Sequence, residues 1–229
     1  MSCSRFCRWI VGAVGMIAAS QWLFVDVAAS EPRRLLPIEV FREDFENGFD
    51  RWELIDPKSW ALQEHGRGKS LAIVTQESEY QPAVRSPLHI ALVKDLEVDD
   101  FEFTLEVKST LDTGAHRDCC LFFNYQDPTH FYYVHFGAKP DPASGQIFIV
   151  NDAPRRPLTT NVDGFEWDGD WHTIKLRRES KTGLIEVFFD YMDSPRLRAV
   201  DSTFGKGRIG IGSFDDLDAF DSIVIQSTE

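Results

Sequence analysis

The chain reads WHTIKLR at residues 171–177, GLIEVFFD at 183–190, GKGRIGIGSFDD at 205–216 and FDSIVI at 220–225. Apolar and polar side chains alternate in these segments, as expected for β-strands with one buried face. Ile174 and Leu176 are expected to point inward and Lys175 outward. Glycines between the segments favour turns. The order therefore predicts successive antiparallel strands of an all-β domain.

A second alternating segment, FEFTLEV, occupies residues 101–107. It places Phe103 and Leu105 on one face and Glu102, Thr104 and Glu106 on the other. No segment of the chain shows a sustained 3.6-residue apolar period, so we expect almost no helix.

A hairpin is predicted between LFFNY at 121–125 and FYYVHF at 131–136, because the Asp-Pro of the intervening DPTH (127–130) starts turns. A loop over 127–130 would place Asn124 beside Tyr133 and Phe122 beside His135. The expected core face then carries Leu121, Phe123, Tyr132, Val134 and Phe136. The opposite face carries Phe122, Asn124, Tyr133 and His135.

The first 29 residues are predicted to be a signal peptide. Arg5 and Arg8 precede a mostly apolar stretch at 9–25, and small residues at 27–29 suit a signal peptidase. We therefore expect export and cleavage, giving a secreted or periplasmic protein, rather than a retained membrane anchor. No later apolar stretch predicts a membrane span in the mature chain.

The remaining sequence is expected to form a short entry segment at 30–40 and one domain at 41–227, since all-β domains of this size are common. The formal net charge of −13 at pH 7 argues against nucleic acid and anionic membrane surfaces as partners. Nothing in the sequence indicates the oligomeric state.

The order of the four C-terminal segments resembles the closing strands of the concanavalin A-like jelly roll. EDFENGFDRW at 43–52 resembles the opening strand of laminin G-like and family 16 glycoside hydrolase jelly rolls, and the hairpin resembles that of laminin G-like domains. The overall plan is also similar to the 3-keto-disaccharide hydrolase family. The resemblance implies a two-sheet antiparallel jelly-roll sandwich that meets polysaccharide or glycan.

Catalysis depends on carboxylates that this chain does not place where the resemblance requires them. Family 16 enzymes carry an E-x-D-x-E strand, and the matching position here, YYVHF at 132–136, holds no carboxylate. We therefore expect polysaccharide or glycan binding on the concave sheet face, without catalysis. The alternatives are a glycan-active enzyme, either 3-keto-disaccharide hydrolase-like or family 16-like, that uses His135 and Glu106, and a laminin G-like adhesion module.

Candidate ligand-binding residues are polar or aromatic and cluster around the predicted hairpin. Sugar sites combine planar hydrogen-bonding groups with an aromatic face. An ordinary polar sheet surface would have the same composition, and that alternative stays open. The candidates are Arg117, Asn124, Tyr133, His135, Asp152, Arg155 and, as a stacking platform, Trp167.

Cys119 and Cys120 are adjacent in the predicted exported chain. They could form a vicinal disulfide, or one thiol could face the core and the other the opposite face. We expect reduced or variably oxidised cysteines. No Cys/His spacing in the sequence indicates a zinc site.

The resemblance also implies a structural calcium ion, because Asp221 in FDSIV matches the aspartate that binds calcium in this superfamily. Calcium prefers six to eight oxygen ligands. The predicted ligands are Glu43, the carbonyl of Gly68 and Asp221. The alternative is a solvated acidic turn.

Overall fold

The computed structural model describes residues 37–227. The predicted signal peptide and residues 30–36 of the predicted entry segment lie outside the described residues. Within residues 37–227, no helix is long and apolar enough to cross a membrane. The first strand begins at Ile38, so the last three residues of the predicted entry segment already belong to the sheet.

The first sheet contains eight antiparallel strands. Seven of them lie side by side, and the eighth, β1 (Ile38–Glu43), also pairs with β15 (Asp218–Ser227). Their order across the sheet is β13 (Leu197–Val200), β12 (Leu184–Phe189), β11 (His172–Glu179), β6 (Phe101–Ser109), β15 (Asp218–Ser227), β4 (Lys69–Ile73) and β3 (Trp60–Glu64), with β1 at Ile38–Glu43.

The second sheet contains seven antiparallel strands. Their order is β10 (Arg156–Pro157), β9 (Ile147–Asn151), β8 (His130–Gly137), β7 (Asp118–Asp127), β14 (Arg208–Ser213), β5 (His89–Val93) and β2 (Trp52–Leu54). The only helical elements in residues 37–227 are two short 3₁₀ turns, Pro57–Ser59 and Gly114–His116. The predicted all-β, two-sheet antiparallel jelly-roll sandwich is confirmed.

The core lies between the sheets and is built from the alternate residues of each strand. Strand β6 shows the principle, because its odd-numbered positions are buried and its even-numbered positions are partly exposed. The predicted core face of the hairpin is confirmed. All five of its residues are fully buried in the main apolar cluster: Leu121, Phe123, Tyr132, Val134 and Phe136.

The register of the β7–β8 hairpin differs from the prediction. Asp127 pairs with His130, so the turn has two residues, and a bulge follows before Phe123 pairs with Tyr132. Asn124, at the bulge, has a φ of 45°, a left-handed conformation that asparagine tolerates better than most residues. The expected pairings of Asn124 with Tyr133 and of Phe122 with His135 are therefore wrong.

The observed partner of His135 is Cys120, and the observed partner of Tyr133 is Phe122. The difference from the predicted register is two residues. Because side chains alternate with a period of two, the assignment of residues to the inner and outer faces survives while their neighbours across the hairpin change.

The outer faces of the two sheets have different chemistry. The first sheet carries ion pairs, among them Arg177 with Glu102 and with Glu186. The outer face of the second sheet carries a second buried apolar cluster that includes Phe122, Tyr133 and Phe148, against which loop residues including Tyr80, Val84 and Phe214 pack. This partly covered face holds the candidate site.

Candidate functional site

A cleft of about 470 Å³ opens on the outer face of the second sheet, where β7 begins and β8 ends. Strands β7 and β8 contribute Asp118 and His135, and the surrounding loops contribute most of the remaining wall. The residues on which the chemistry depends are Arg85, Asp118, His135, Arg155, Phe214 and Asp216.

His135 is only 5% exposed and lies at the inner end of this cleft. Its Nδ1 is 3.2 Å from the carbonyl oxygen of Ala143, and because a carbonyl can only accept, Nδ1 carries the proton. Its Nε2 lies 3.2 Å from Asp118 Oδ1 but has no hydrogen-bond partner of acceptable geometry among the described residues. The ring therefore has a fixed orientation and one free nitrogen that faces a carboxylate.

Asp118 and Asp216 form a linked pair of buried carboxyl groups. Asp118 Oδ1 accepts a hydrogen bond of 2.9 Å from Ser213, and Asp216 Oδ2 accepts bonds from the Asp118 backbone N–H at 3.1 Å and from Thr113 at 3.2 Å. These bonds connect the start of β7 with the end of β14 and the loop after it.

The environments of the two carboxyl groups shift their pKa values in opposite directions. Burial acts to raise the pKa of Asp118, but its interactions with the neighbouring His135 ring and its bond from Ser213 outweigh burial, and the pKa falls below its usual value. Burial, with the negative charge of Asp118 as a further cause, raises the pKa of Asp216 to about 6. At about pH 6, Asp118 is ionised while Asp216 is about half protonated.

Arg155 covers the aromatic part of the cleft. Its guanidinium lies 4.2 Å from the ring centre of Phe214 and 5.3 Å from that of Phe148, distances at which a cation is attracted to the ring face. One of its N–H groups donates to the Tyr133 hydroxyl at 3.3 Å. Tyr133 itself is fully buried, so it supports Arg155 from beneath.

The structure brings only part of the predicted ligand-binding set together. His135 and Arg155 line the cleft, and Tyr133 lies under it. Arg117 lies outside the cleft lining, in the loop before β7, and forms an ion pair with Asp112.

Three predicted ligand-binding residues lie elsewhere. Asn124 is buried in the hairpin bulge and donates to the Val98 carbonyl at 3.4 Å. Asp152 sits at the turn end of the hairpin, where it accepts a bond from Thr129 at 3.0 Å. Trp167 is buried in the core and cannot serve as a stacking platform, because its ring packs against other aromatic side chains.

The proposed catalytic pair of His135 and Glu106 is also not brought together. Glu106 lies on β6 of the first sheet and forms an ion pair with Arg67 on its outer face. His135 lies on the outer face of the second sheet, on the other side of the core. The two side chains therefore cannot act on one substrate.

The predicted calcium ligands lie where the first and last strands meet. Glu43 pairs with Ile223 across β1 and β15, and Gly68 immediately precedes β4, which pairs with β15. The pKa of Asp221 is raised by burial and by the negative charges of Glu106 and Asp44. A cation would relieve that repulsion, so the donor chemistry fits a hard ion, and the calcium site stays a prediction.

Sequence reasoning missed the contribution of Asp118, Phe214 and Asp216 to the cleft. Asp118 is the first residue of β7. The alternation of Asp118, Cys120 and Phe122 was the available signal that all three share one face.

Cys119 and Cys120 are both free and buried. Cys119 belongs to the core between the sheets, and Cys120 to the apolar cluster on the outer face of the second sheet. This matches the alternative in which one thiol faces the core and the other the opposite side.

Comparison with known proteins identifies the fold. No protein-family model and no curated relative matches the chain. Among solved structures, a carbohydrate-binding module of class CBM66 from Bacillus subtilis is similar with a TM-score of 0.56 and 17% identity, covering 77% of this chain and 96% of that one.

A protein of unknown function with a galectin-like fold, also from Bacillus subtilis, has a TM-score of 0.54 and 13% identity over 84% of this chain and 98% of that one. A xylan β-1,4-xylosidase from Bacillus halodurans C-125 has a TM-score of 0.55 and 15% identity over 86% of this chain, but only 41% of that enzyme is covered. The chain thus has the concanavalin A-like jelly-roll fold, and the low identities carry that likeness no further than the fold.

Proposed function

We propose that this chain is an exported carbohydrate-binding module that holds a polysaccharide or glycan in the cleft on the second sheet without breaking covalent bonds. The observation that carries the proposal is the juxtaposition, in one open cleft, of the Arg155 guanidinium, the Asp118 carboxylate and the partly exposed ring of Phe214. Sugars are recognised by planar hydrogen-bonding groups beside an aromatic surface.

The size and charge of the cleft support this proposal. A volume of about 470 Å³ falls within the range of small-molecule sites and suits a short stretch of sugar units. Both signs of charge are present in its lining, which includes the basic residues Arg85, Lys139 and Arg155 and the acidic residues Asp118, Asp141, Asp215 and Asp216. Mixed charge favours a polar, uncharged ligand over a strongly anionic one.

The proposal that the module does not cleave its ligand rests on the residues of strand β8. The position at which family 16 enzymes carry their catalytic carboxylates is occupied here by residues 132–136 of β8, which include no Asp or Glu. Structures of similar fold include a carbohydrate-binding module and a lectin in complex with GalNAc, which makes sugar binding the first activity to test.

The test is calorimetric titration of the mature protein with a panel of neutral glucans, galactans, fructans and arabinans. Arg155→Gln should weaken binding about tenfold or more, since hydrogen bonds from a charged group contribute about 1.5–3 kcal/mol. Arg156→Gln is the matched control, because Arg156 is the exposed neighbour outside the cleft lining and should bind like wild type. Wild-type protein that binds no member of the panel at millimolar concentration would refute the proposal for those ligands.

A second candidate function, glycan cleavage, is favoured by the divergent pKa values of Asp118 and Asp216. A protonated and an ionised carboxyl group in one cleft is the arrangement of an acid and its partner. The test is release of reducing ends from the same panel between about pH 5 and about pH 8, where a general acid with a pKa near 6 predicts activity that falls toward the alkaline end. Cleavage that persists unchanged in Asp216→Asn would remove this assignment.

A further inference from the structure

Three potential metal ligands meet at the inner end of the cleft. A carboxylate oxygen of Asp118, the Sγ of Cys120 and Nε2 of His135 all lie within 4.8 Å of one another, and all three residues are buried. They are the only such group of three or more His, Cys, Asp or Glu side chains found in residues 37–227.

The sheet itself brings these residues together. Asp118 and Cys120 are two positions apart on β7, so their side chains point to the same face, and His135 is directly opposite Cys120 on β8. Side chains of directly opposed residues have Cβ atoms about 4.5–5.5 Å apart, which is short enough for a single ion to bridge them. Rigid strands rather than loops therefore hold all three ligands.

The surroundings of His135 are those of a metal-ligating histidine. Metal-bound histidines almost always donate the other ring N–H to a carbonyl or carboxylate, which fixes the tautomer. Here Nδ1 lies 3.2 Å from the Ala143 carbonyl, and this bond leaves the lone pair of Nε2 directed at Asp118. Nε2 is buried and makes no hydrogen bond of acceptable geometry within residues 37–227, which is an unusual state for a polar atom inside a protein.

Asp118 is supported in a similar way. Its Oδ1 accepts a hydrogen bond of 2.9 Å from Ser213 on the neighbouring strand β14. Outer hydrogen bonds of this kind orient ligating carboxylates. The distance of 3.2 Å between Asp118 Oδ1 and His135 Nε2 is also compatible with two ligands on one tetrahedral ion, for which metal–ligand bonds of about 2.0–2.2 Å are usual.

We propose that Asp118, Cys120 and His135 form a binding site for a thiophilic divalent transition-metal ion of the Zn²⁺ class. A thiolate, an imidazole and a carboxylate are ligands that such ions accept together, whereas calcium requires six to eight oxygens. The ionised thiol and carboxylate balance the two positive charges of the ion, and the proton of the Cys120 thiol is released to solvent on binding.

Three protein ligands leave one tetrahedral position free. Asp118 and His135 line the cleft while Cys120 lies beneath it, so the free position faces the cleft and would be filled by water or by an oxygen of a bound ligand. The site is defined by its own ligands and does not depend on glycan binding. The sequence shows no Cys/His spacing typical of zinc, because these three ligands are assembled across a hairpin instead of at a fixed spacing in the sequence.

The test is titration of reduced, chelator-treated protein with Co²⁺, without any sugar, followed by displacement with Zn²⁺. We expect one equivalent to bind, with a thiolate-to-cobalt charge-transfer band in the near ultraviolet and the strong visible bands of tetrahedral cobalt. Cys120→Ser should abolish the charge-transfer band and lower Zn²⁺ affinity by more than about 100-fold, beyond the effect of losing an outer-shell partner.

Cys119→Ser is the matched control, since Cys119 is the adjacent thiol but faces the core. It should retain both the band and the affinity, with circular dichroism confirming that each variant is folded. Asp118→Asn serves as an independent second variant and should also weaken binding. Cobalt binding without a thiolate band, or Zn²⁺ affinity in Cys120→Ser within about threefold of wild type, would overturn the proposal.

Discussion

Replacing Arg178 by methionine should destabilise the fold by about 3 kcal/mol, although arginine is normally a surface residue. Arg178 is 1% exposed. Its guanidinium donates to the backbone carbonyls of Gly183 and Asp201, both at 2.8 Å, and of Phe204 at 3.0 Å. It thereby ties the end of β11 to the β11–β12 turn and to the segment after β13.

The magnitude follows from the three carbonyl groups. The carbonyls of Asp201 and Phe204 lose this donor, and a buried acceptor left without one costs about 1–3 kcal/mol. The Gly183 carbonyl keeps a bond from the Asp201 N–H at 2.9 Å, so its lost bond costs about 0.5–1.5 kcal/mol, and the lower values sum to about 3 kcal/mol. Methionine fills most of the space left by the side chain, and removal of a buried charge recovers part of its desolvation cost. These two effects keep the expected loss of stability near the low end of the range.

The matched control is Arg177→Met, one residue earlier on the opposite face. Arg177 pairs with Glu102 and Glu186 on the first sheet's outer face and is 31% exposed, so its loss should cost under about 1 kcal/mol. Equilibrium unfolding in urea at neutral pH measures both variants, with the m-value checking that two-state behaviour is kept. Losses within about 0.5 kcal/mol of each other would refute the carbonyl argument.

Three further predictions concern the core, pH and calcium. Val134→Ala should cost about 2 kcal/mol of stability in thermal unfolding, because Val134 is fully buried. Val200→Ala is the control: this position is 70% exposed, so stability should change by under about 0.5 kcal/mol. Equal losses would contradict the assigned strand faces. The pKa of Asp216 is raised from 3.8 to about 6, so the stability that its protonated form contributes is lost as pH rises through about 6. In Asp216→Asn, the change in unfolding free energy between about pH 4.5 and about pH 7.5, measured by urea unfolding, should be smaller than in wild type by about 2 kcal/mol. The same pH dependence in both proteins would show that Asp216 is not the titrating group. Calcium at a hundredfold excess over Kd should stabilise the fold by about 2.7 kcal/mol, and Asp221→Asn should abolish the resulting rise in Tm. An equal rise in Tm with magnesium at the same ionic strength would indicate general charge screening instead of a calcium site.

Most of the fold follows from the alternation of side chains. The pattern assigned Ile174 and Leu176 to the core, and both are fully buried. Arg178 is the next residue of the same face, and the pattern therefore places it inside, whereas its charge argues for the surface. The conflict is resolved only by three carbonyls from residues 183, 201 and 204, which come together after β11, β12 and β13 have assembled. No local window of sequence contains that information.

The candidate site was harder to predict than the fold, because it depends on register. A two-residue difference in the β7–β8 pairing leaves the paired residues on their predicted faces but replaces Phe122 by Cys120 as the neighbour of His135. The bulge at Asn124 lies against Gly207 on the approach to β14, where a Cβ would stand only 2.5 Å from the Asn124 carbonyl carbon. A side chain at position 207 would thus force the two segments apart. The close contact between two distant parts of the chain accommodates the bulge, and the bulge sets which residue faces His135. The combination of Asp118, Cys120 and His135 is therefore a tertiary feature that the spacing of these residues along the sequence does not reveal.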